Sequence, residues 1–206
     1  MALRTHTRLA LALTLLAAAG CAPNLQDDFP FDGALPPGTY ATFTEGSDGA
    51  FTVNVEATAK EAWVYVDMVQ RKDVPAADAV GTDAWHLAFQ RFKIMTNSGV
   101  SGPGSVEVAA LPSQDFDSLT QAPAGGYAQD RADGPDGNAD LDSPFLEGAG
   151  WYVYDLGVHK LAPRDITYVV HLPTGYFKLR MLNYYARAGT AGTLQFRWAP
   201  LLPPSM

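Results

Sequence analysis

The sequence predicts an all-β fold with two layers, mostly antiparallel strands and one long irregular loop. Apolar residues alternate with polar ones in most segments after residue 38, as at Phe51, Val53 and Val55, and this period of two is typical of strands with one buried face. Aromatic residues, glycine and proline are frequent, while charged residues make up 17% of the chain, which favours sheets over helices. No window beyond the signal-like N-terminus has a helical period.

Residues 1–20 are predicted to be a lipoprotein signal peptide. Arg4 and Arg8 supply positive charge, and the apolar run at 9–19 is too short to span a bilayer. The run ends in small residues directly before Cys21, the only cysteine in the sequence. This arrangement suits the peptidase that cleaves lipoprotein precursors, so we expect Cys21 to carry the lipid, with palmitate among its acyl chains.

The lipid determines where the protein is expected to reside. Acyl chains anchor a protein stably to a membrane surface without a spanning helix, and Ala22 and Pro23 place no acidic residue directly after the cysteine. This pattern predicts an outer-membrane or cell-surface location, with outer-membrane lipid as a partner. An acylated Cys21 leaves no thiol for disulfides, catalysis or metal binding.

The acidic charge of the chain bears on its partners. The net charge is −8 at pH 7, and removal of the signal peptide would take away two arginines and no acidic residue. Such a surface repels the phosphates of nucleic acids, so neither DNA nor RNA is an expected partner.

The rest of the chain divides into a tether and one domain. Residues 21–37 contain proline and aspartate with few periodic apolar residues, which is typical of a linker, and residues 38–200 hold the strand patterns. The segment 63–69 is apolar on both of its faces, so both are expected to be buried. The stretch Pro173-Thr174-Gly175 predicts a hairpin turn. The predicted strands are 51–55, 63–69, 85–96, 106–108, 151–156, 166–172, 176–186 and 194–198.

Residues 112–150 interrupt this pattern. They are rich in proline, glycine and aspartate, and a loop of this length in a compact domain usually has a function. Oxygen-bearing side chains alternate within it as at the start of a calcium-binding loop. The candidate calcium ligands are Asp136, Asn138, Asp140 and Asp142. The alternative is a solvated acidic turn, because Asp-Gly and Asn-rich segments form turns without an ion.

A motif in the middle of the chain resembles the signature of a known family. The run Trp-His-Leu-Ala-Phe, which begins at Trp85, leads into Thr-Asn-Ser-Gly-Val-Ser-Gly, which begins at Thr96. In the HmuY-like family of bacterial surface lipoproteins, a Trp-Asp-Ile-Ala-Phe strand leads into Thr-Asn-x-Gly-x-Ser-Gly. His86 stands where that family usually has an acidic residue. Matching segments continue in the same order to Trp198, and the resemblance extends over roughly residues 40–198.

The resemblance implies a fold that holds a ligand between loops and strands at one end, and haem is the ligand of the best-known members. It therefore implies a surface lipoprotein that binds haem, or another small ligand, for iron acquisition, with an outer-membrane receptor as a further partner. The protein would bind its ligand and not transform it. The sequence contains no Gly-x-Ser-x-Gly, no His-Glu-x-x-His and no phosphate-binding loop, so no enzyme activity is expected.

Haem iron is usually held by histidine or methionine. The candidate axial ligands are His86, His159 and His171. Each has a structural alternative in a strand or a turn, and the methionines of the predicted strands are expected in the core. Family members with paired histidine ligands place them before the Trp-Tyr-x-Tyr strand, but residues 112–150 contain no His, Met or Cys here. The loop offers a phenolate at Tyr127 instead, a rarer haem ligand.

The main alternative belongs to another class of protein. A non-haem interaction or structural lipoprotein, ordered by calcium through the acidic loop, would contact a protein or glycan partner. Aromatic residues near the loops, such as Trp151 and Tyr152, suit a flat slot for a planar ligand or a sugar, and they equally suit packing between strands. A haemin titration discriminates between the two functions.

Overall fold

The fold is built almost entirely from strands. A computed structural model describes residues 38–132 and 141–205, and these residues form twelve strands and one short helix. The elements are β1 (Ala41–Glu45), β2 (Phe51–Glu56), β3 (Val64–Asp67), β4 (Lys72–Val74), α1 (Ala76–Ala79), β5 (Leu87–Gln90), β6 (Lys93–Thr96), β7 (Glu107–Pro112), β8 (Tyr152–Asp155), β9 (Lys160–Pro163), β10 (Ile166–Leu172), β11 (Gly175–Tyr185) and β12 (Ala191–Leu201). Nothing helical in these two ranges has the length and apolarity needed to cross a bilayer.

The strands form two main sheets and a separate hairpin. One sheet has six strands in the order β1-β2-β12-β11-β10-β7, and the other has four in the order β4-β3-β5-β6. The β8–β9 hairpin pairs with neither sheet. Every pairing between these strands is antiparallel. The predicted all-β, mostly antiparallel class is confirmed.

The core lies between the two sheets. In β12, Leu194, Phe196 and Trp198 are at most 2% exposed and alternate with half-buried residues, as the period of a strand requires. Phe196 stacks on Phe89 of β5 with ring centres 5.7 Å apart, which joins the six-stranded sheet to the four-stranded sheet. Burying side chains of this size stabilises the fold by about 1.5–3 kcal/mol each.

The outer face of the six-stranded sheet is covered by residues 114–127, a described part of the predicted long loop. Phe116 is 2% exposed there, and its ring centre lies 4.5 Å from Lys178 Nζ and 4.2 Å from Arg197 Cζ. Lys178 Nζ also donates hydrogen bonds to the carbonyls of Phe116 and Leu119, at 2.6 and 2.8 Å. This part of the loop is irregular, as expected, and it packs closely against the sheet.

One predicted strand is in fact two. The apolar run 85–96 predicts a single strand, whereas β5 and β6 form a hairpin within it. The turn lies at Arg91, whose φ of 54° is unusual for a residue other than glycine. Its backbone N–H donates to the Ala57 carbonyl at 2.8 Å and its guanidinium to the Thr58 carbonyl at 3.1 Å. Tertiary contacts thus stabilise this turn, although its sequence contains neither glycine nor proline, the residues that usually indicate a turn. The connection at 71–84 likewise holds β4 and α1.

Candidate functional site

A cavity of about 290 Å³ opens between β8 and residues 141–150. It is lined by Phe92, Leu141, Asp142, Leu146, Glu147, Ala149, Gly150, Tyr152, Tyr154 and Arg164. Its volume lies just below the range of roughly 300–1,000 Å³ for small-molecule pockets. Among these described lining residues there is no histidine, methionine or cysteine.

Trp151 holds the aromatic wall of the cavity in place. The side chain is fully buried, and its Nε1 donates to the Phe92 carbonyl at 2.9 Å. Phe92 in turn meets Tyr152 edge to face, with ring centres 5.6 Å apart. Tyr152 and Tyr154 are two residues apart in β8, so their side chains lie on the same side of the strand, and both line the cavity.

Arg164 supplies positive charge at the cavity. Its Nε donates to the carbonyls of Ala149 and Tyr152, at 2.9 and 2.8 Å, which fixes the guanidinium group at the wall. Guanidinium groups bind carboxylates in a planar fork, so this part of the site suits an anionic group. Asp142 and Glu147 line the same cavity, so the site as a whole has mixed charge.

The β8–β9 hairpin carries a paired tyrosine and histidine. The hydroxyl of Tyr154 lies 2.8 Å from Nδ1 of His159, in a hydrogen bond. His159 is exposed and occupies the hairpin turn with a φ of 52°. Asp155 shapes this turn by accepting a hydrogen bond from the Gly157 N–H at 2.7 Å. The structure therefore places the candidate His159 next to a residue of the cavity wall.

His86 lies elsewhere, beside the turn that follows β3. Its Nδ1 accepts a hydrogen bond from the Met68 N–H at 3.1 Å and is 3.3 Å from a carboxylate oxygen of Asp67. An Nδ1 that accepts from an amide carries no proton, so the Asp67 contact is not a salt bridge while the ring is neutral. Burial lowers the pKa of His86, and the carboxylates of Asp67 and Asp83 oppose this shift. His86 is therefore held as a half-buried, neutral hydrogen-bond acceptor.

His171 lies on the outer face of the six-stranded sheet, away from the cavity lining. It stacks on Tyr176, with ring centres 4.3 Å apart and planes 8° apart, and its Nδ1 is 3.3 Å from a Glu107 carboxylate oxygen. The Tyr127 ring is 5.9 Å away, and burial raises the pKa of Tyr127 to about 12. At neutral pH this phenol stays protonated. Whether any of the three histidines binds iron remains a prediction.

The predicted calcium ligands receive no support. Those outside the described residues are Asp136, Asn138 and Asp140. Asp142 is 9% exposed and pairs with Arg131 through the backbone. Over the described part of the chain, no three or more His, Cys, Asp or Glu side chains are grouped to hold a metal ion. Cys21, the signal peptide and the tether also lie outside the described residues.

The signature motif encloses a buried carboxylate. Asp130 is 2% exposed and accepts hydrogen bonds from the Thr96 N–H at 2.9 Å, the Thr96 hydroxyl at 2.8 Å and the Ser101 hydroxyl at 2.7 Å. Burial raises the pKa of Asp130, and these donors oppose the shift. Gly99 has a φ of 58°, and a Cβ there would lie 1.8 Å from the Asp130 carbonyl oxygen. The motif therefore fastens the long loop to β6, and we call this arrangement the Asp130 clasp.

Sequence reasoning did not single out Phe92, Tyr154 and Arg164. The available signal was the alternation of the predicted strand 151–156, which places Tyr154 on the same side as Tyr152. Phe92 reaches the site because it lies in the turn between β5 and β6, and Arg164 is held there by the carbonyls of Ala149 and Tyr152. Neither arrangement produces a periodic pattern in the sequence.

Comparison with known proteins identifies relatives of this architecture. No curated protein matches the chain significantly, but several solved structures share its fold. A proposed lipoprotein from Bacteroides fragilis is 20% identical, with a TM-score of 0.54 over 76% of this chain and 93% of its own. A proposed HmuY-like haem-binding protein from Bacteroides vulgatus is 18% identical, with a TM-score of 0.54 over 78% of this chain and 97% of its own. The apo HmuY analogue of Tannerella forsythia is 18% identical, with a TM-score of 0.51 over 79% and 96%.

At these identities the structural likeness establishes the fold alone. The sequence gives independent information, because the profile of the family described as HmuY protein matches residues 59–198, more than half of the chain. The resemblance noted at the signature motif thus extends through the four-stranded sheet, the β8–β9 hairpin and the strands of the six-stranded sheet that follow β2, and the chain belongs to the HmuY family.

Proposed function

We propose that this protein is a surface lipoprotein that binds haem for iron acquisition and does not transform it. The observation that carries the proposal is the HmuY family match over residues 59–198, because binding of haem is characteristic of that family. The haem would be cargo, taken up at the surface and handed to an outer-membrane receptor.

The cavity offers part of what haem needs. The macrocycle requires an apolar surface and an axial ligand, and its propionates require positive charge. Phe92 and Tyr152 supply aromatic surface, and Arg164 suits a propionate. A cavity of about 290 Å³ is smaller than pockets that enclose drug-sized ligands, at roughly 300–1,000 Å³. Part of the macrocycle would therefore remain outside, against the β8–β9 hairpin.

A haemin titration of the full chain in detergent tests the proposal. We expect a saturable, shifted Soret band. Arg164→Ala should weaken haemin binding by about 10- to 100-fold, because a hydrogen bond to a charged group contributes roughly 1.5–3 kcal/mol. The matched control is Arg71→Ala, an exposed residue between β3 and β4, which should bind haemin as the parent does. If no saturable band appears in either oxidation state, the haem proposal is wrong.

We also propose that Cys21 is acylated and that the acyl chains hold the protein at the outer membrane. The support is the basic N-terminus, the short apolar run and the small residues before Cys21. Mass spectrometry of the native N-terminal peptide should find the acyl mass on Cys21. An unmodified N-terminus at another residue would contradict the proposal.

The tip of the β8–β9 hairpin favours a second function, that of a non-haem interaction lipoprotein. Leu156 and Val158 are 77% and 60% exposed, and adjoining exposed apolar residues mark contact surfaces. In this alternative the tip contacts a protein partner. Replacing both residues with serine should leave haemin affinity unchanged if the tip serves a partner, and should lower the affinity if the tip supports the macrocycle.

A further inference from the structure

The cavity raises the question of which atom would hold the iron. Its described lining contains no histidine, methionine or cysteine, but it contains two phenols, those of Tyr152 and Tyr154. Phenolate oxygen is an established ligand type for haem iron. A phenol must lose its proton to bind ferric iron in this way, so a useful ligand needs a nearby base.

Tyr154 has such a base. Its hydroxyl is hydrogen-bonded to Nδ1 of His159 at 2.8 Å. The two ring centres are 6.1 Å apart with planes 51° apart, so the imidazole meets the phenol through this hydrogen bond and does not stack on it. An imidazole nitrogen that carries no proton is a hydrogen-bond acceptor, and at this distance it can take the proton of the phenol. Tyr154 is 47% exposed, so a ligand can approach it from solvent.

Two other tyrosines of the described chain, Tyr127 and Tyr168, are in different surroundings. Tyr127 donates its hydroxyl to the Pro123 carbonyl at 3.1 Å, and burial raises its pKa to about 12. Tyr168 is 1% exposed, and burial raises its pKa too. Burial and a carbonyl partner both favour the neutral phenol, which is a poor ligand for iron.

We propose that Tyr154 is the axial ligand of ferric haem and that His159 is a positioning residue that accepts its proton. The proposal rests on the proposed haem-binding function. On binding, the O–H bond of Tyr154 breaks and its proton moves to Nδ1 of His159. A bond forms between the phenolate oxygen and the iron, and the water or anion that held that axial position of haemin leaves. The iron stays ferric and no electron is transferred.

The proposed ligand makes binding depend on the oxidation state of the iron. A phenolate is a hard, anionic oxygen ligand, and such ligands suit the harder, more highly charged ion. Ferric haem is therefore held, and reduction to the ferrous state weakens the iron–oxygen bond. Histidine ligation would behave differently, because imidazole also suits ferrous iron.

The test is a haemin titration of the full chain and of matched variants, followed by the Soret band and by resonance Raman scattering from phenolate modes. The parent should show iron–phenolate modes that disappear on reduction. His159→Asn should weaken ferric haem binding by about 10- to 100-fold, as is usual for a residue that supports a metal ligand, and the band should recover as the pH is raised. Tyr154→Phe should lose the phenolate modes at every pH and bind more weakly still.

The matched controls are Tyr127→Phe and His171→Asn, in the cluster on the outer face of the six-stranded sheet; both should behave as the parent. Three results would overturn the ligand assignment while leaving haem binding intact: phenolate modes that persist in Tyr154→Phe, modes that disappear in Tyr152→Phe alone, or equally tight binding of ferrous haem. If the parent itself binds no haemin, the proposed function and the ligand assignment both fail, so the two failures are distinguishable.

Discussion

The carboxylate of Asp130 accepts both the backbone N–H and the side-chain hydroxyl of Thr96, at 2.9 and 2.8 Å. The two residues are 34 positions apart, one at the end of β6 and the other in the long loop. A buried carboxylate is costly unless donors surround it, and here the donors come from the signature motif. The Asp130 clasp is therefore expected to contribute to stability.

Asp130→Ala should destabilise the fold. The substitution leaves the buried Thr96 N–H and the half-buried Ser101 hydroxyl without their acceptor, and a buried unpaired group such as the Thr96 N–H costs roughly 1–3 kcal/mol. Urea unfolding, with the parent and Asp83→Ala side by side, measures the change. Asp83 is exposed, so its loss should cost less than about 0.5 kcal/mol. Equal stability of the two variants would contradict the role of the clasp.

The Asp130 clasp should also respond to pH. Because burial raises the pKa of Asp130 above its unfolded value, its stabilising contribution is fully present below the unfolded pKa of about 3.9 and is lost as pH rises through the folded pKa. The parent should therefore gain free energy of unfolding relative to Asp130→Asn as pH falls from about 7 to about 4. Urea midpoints at both pH values test this. If the free energy of unfolding of the parent instead falls relative to that of the variant in acid, the hydrogen-bond donors lower the pKa of Asp130 more than burial raises it.

His86 should make the protein sensitive to acid in the opposite sense. Burial lowers the folded-state pKa of His86, so its contribution is present above the unfolded pKa of about 6.5 and is lost as pH falls through the folded pKa. His86→Asn keeps an acceptor for the Met68 N–H and does not titrate. As pH falls from about 8 to about 5, the melting temperature of the variant should therefore rise relative to that of the parent. A constant difference would show that the Asp67 carboxylate compensates for protonation.

His159→Gly should separate folding from binding. The φ of 52° at His159 costs a side-chain-bearing residue about 1–2 kcal/mol, a cost that glycine does not have. The variant should therefore be as stable as the parent, or more stable by up to about 1 kcal/mol, while its affinity for ferric haemin falls. Thermal melts and a Soret titration of the same preparation measure both. A variant that is clearly less stable would show that the His159 side chain supports the hairpin.

The strands could be predicted from the sequence to the extent that one face of each is buried. The interval 166–172 coincides with β10, and the predicted hairpin after it joins β10 to β11, because alternation and turn residues are local signals. The turn at Arg91 could not be predicted, since its stabilising partners are the carbonyls of Ala57 and Thr58. Such contacts form only in the folded chain, and because backbone carbonyls are common to all residues, the types of the neighbouring residues do not indicate them.

The candidate site was predicted less completely than the fold. His159 was a candidate because of its residue type alone, but its proposed role depends on Tyr154. The hairpin brings the Tyr154 hydroxyl to 2.8 Å from Nδ1 of His159. The two other histidines are engaged in different surroundings, His86 with the Met68 amide and His171 with Tyr176. Which polar group meets which is decided by turns and side-chain directions, and the sequence gives these only weakly.

The Asp130 clasp also bears on how relatives of this protein should be sorted. The residues of the signature motif, from Thr96 to Gly102, contact the carboxylate and the backbone carbonyl of Asp130 in the long loop and do not line the cavity. A survey of the family that aims to distinguish cargoes should therefore compare the residues aligned with Tyr154 and His159, since the signature motif lies outside the cavity lining.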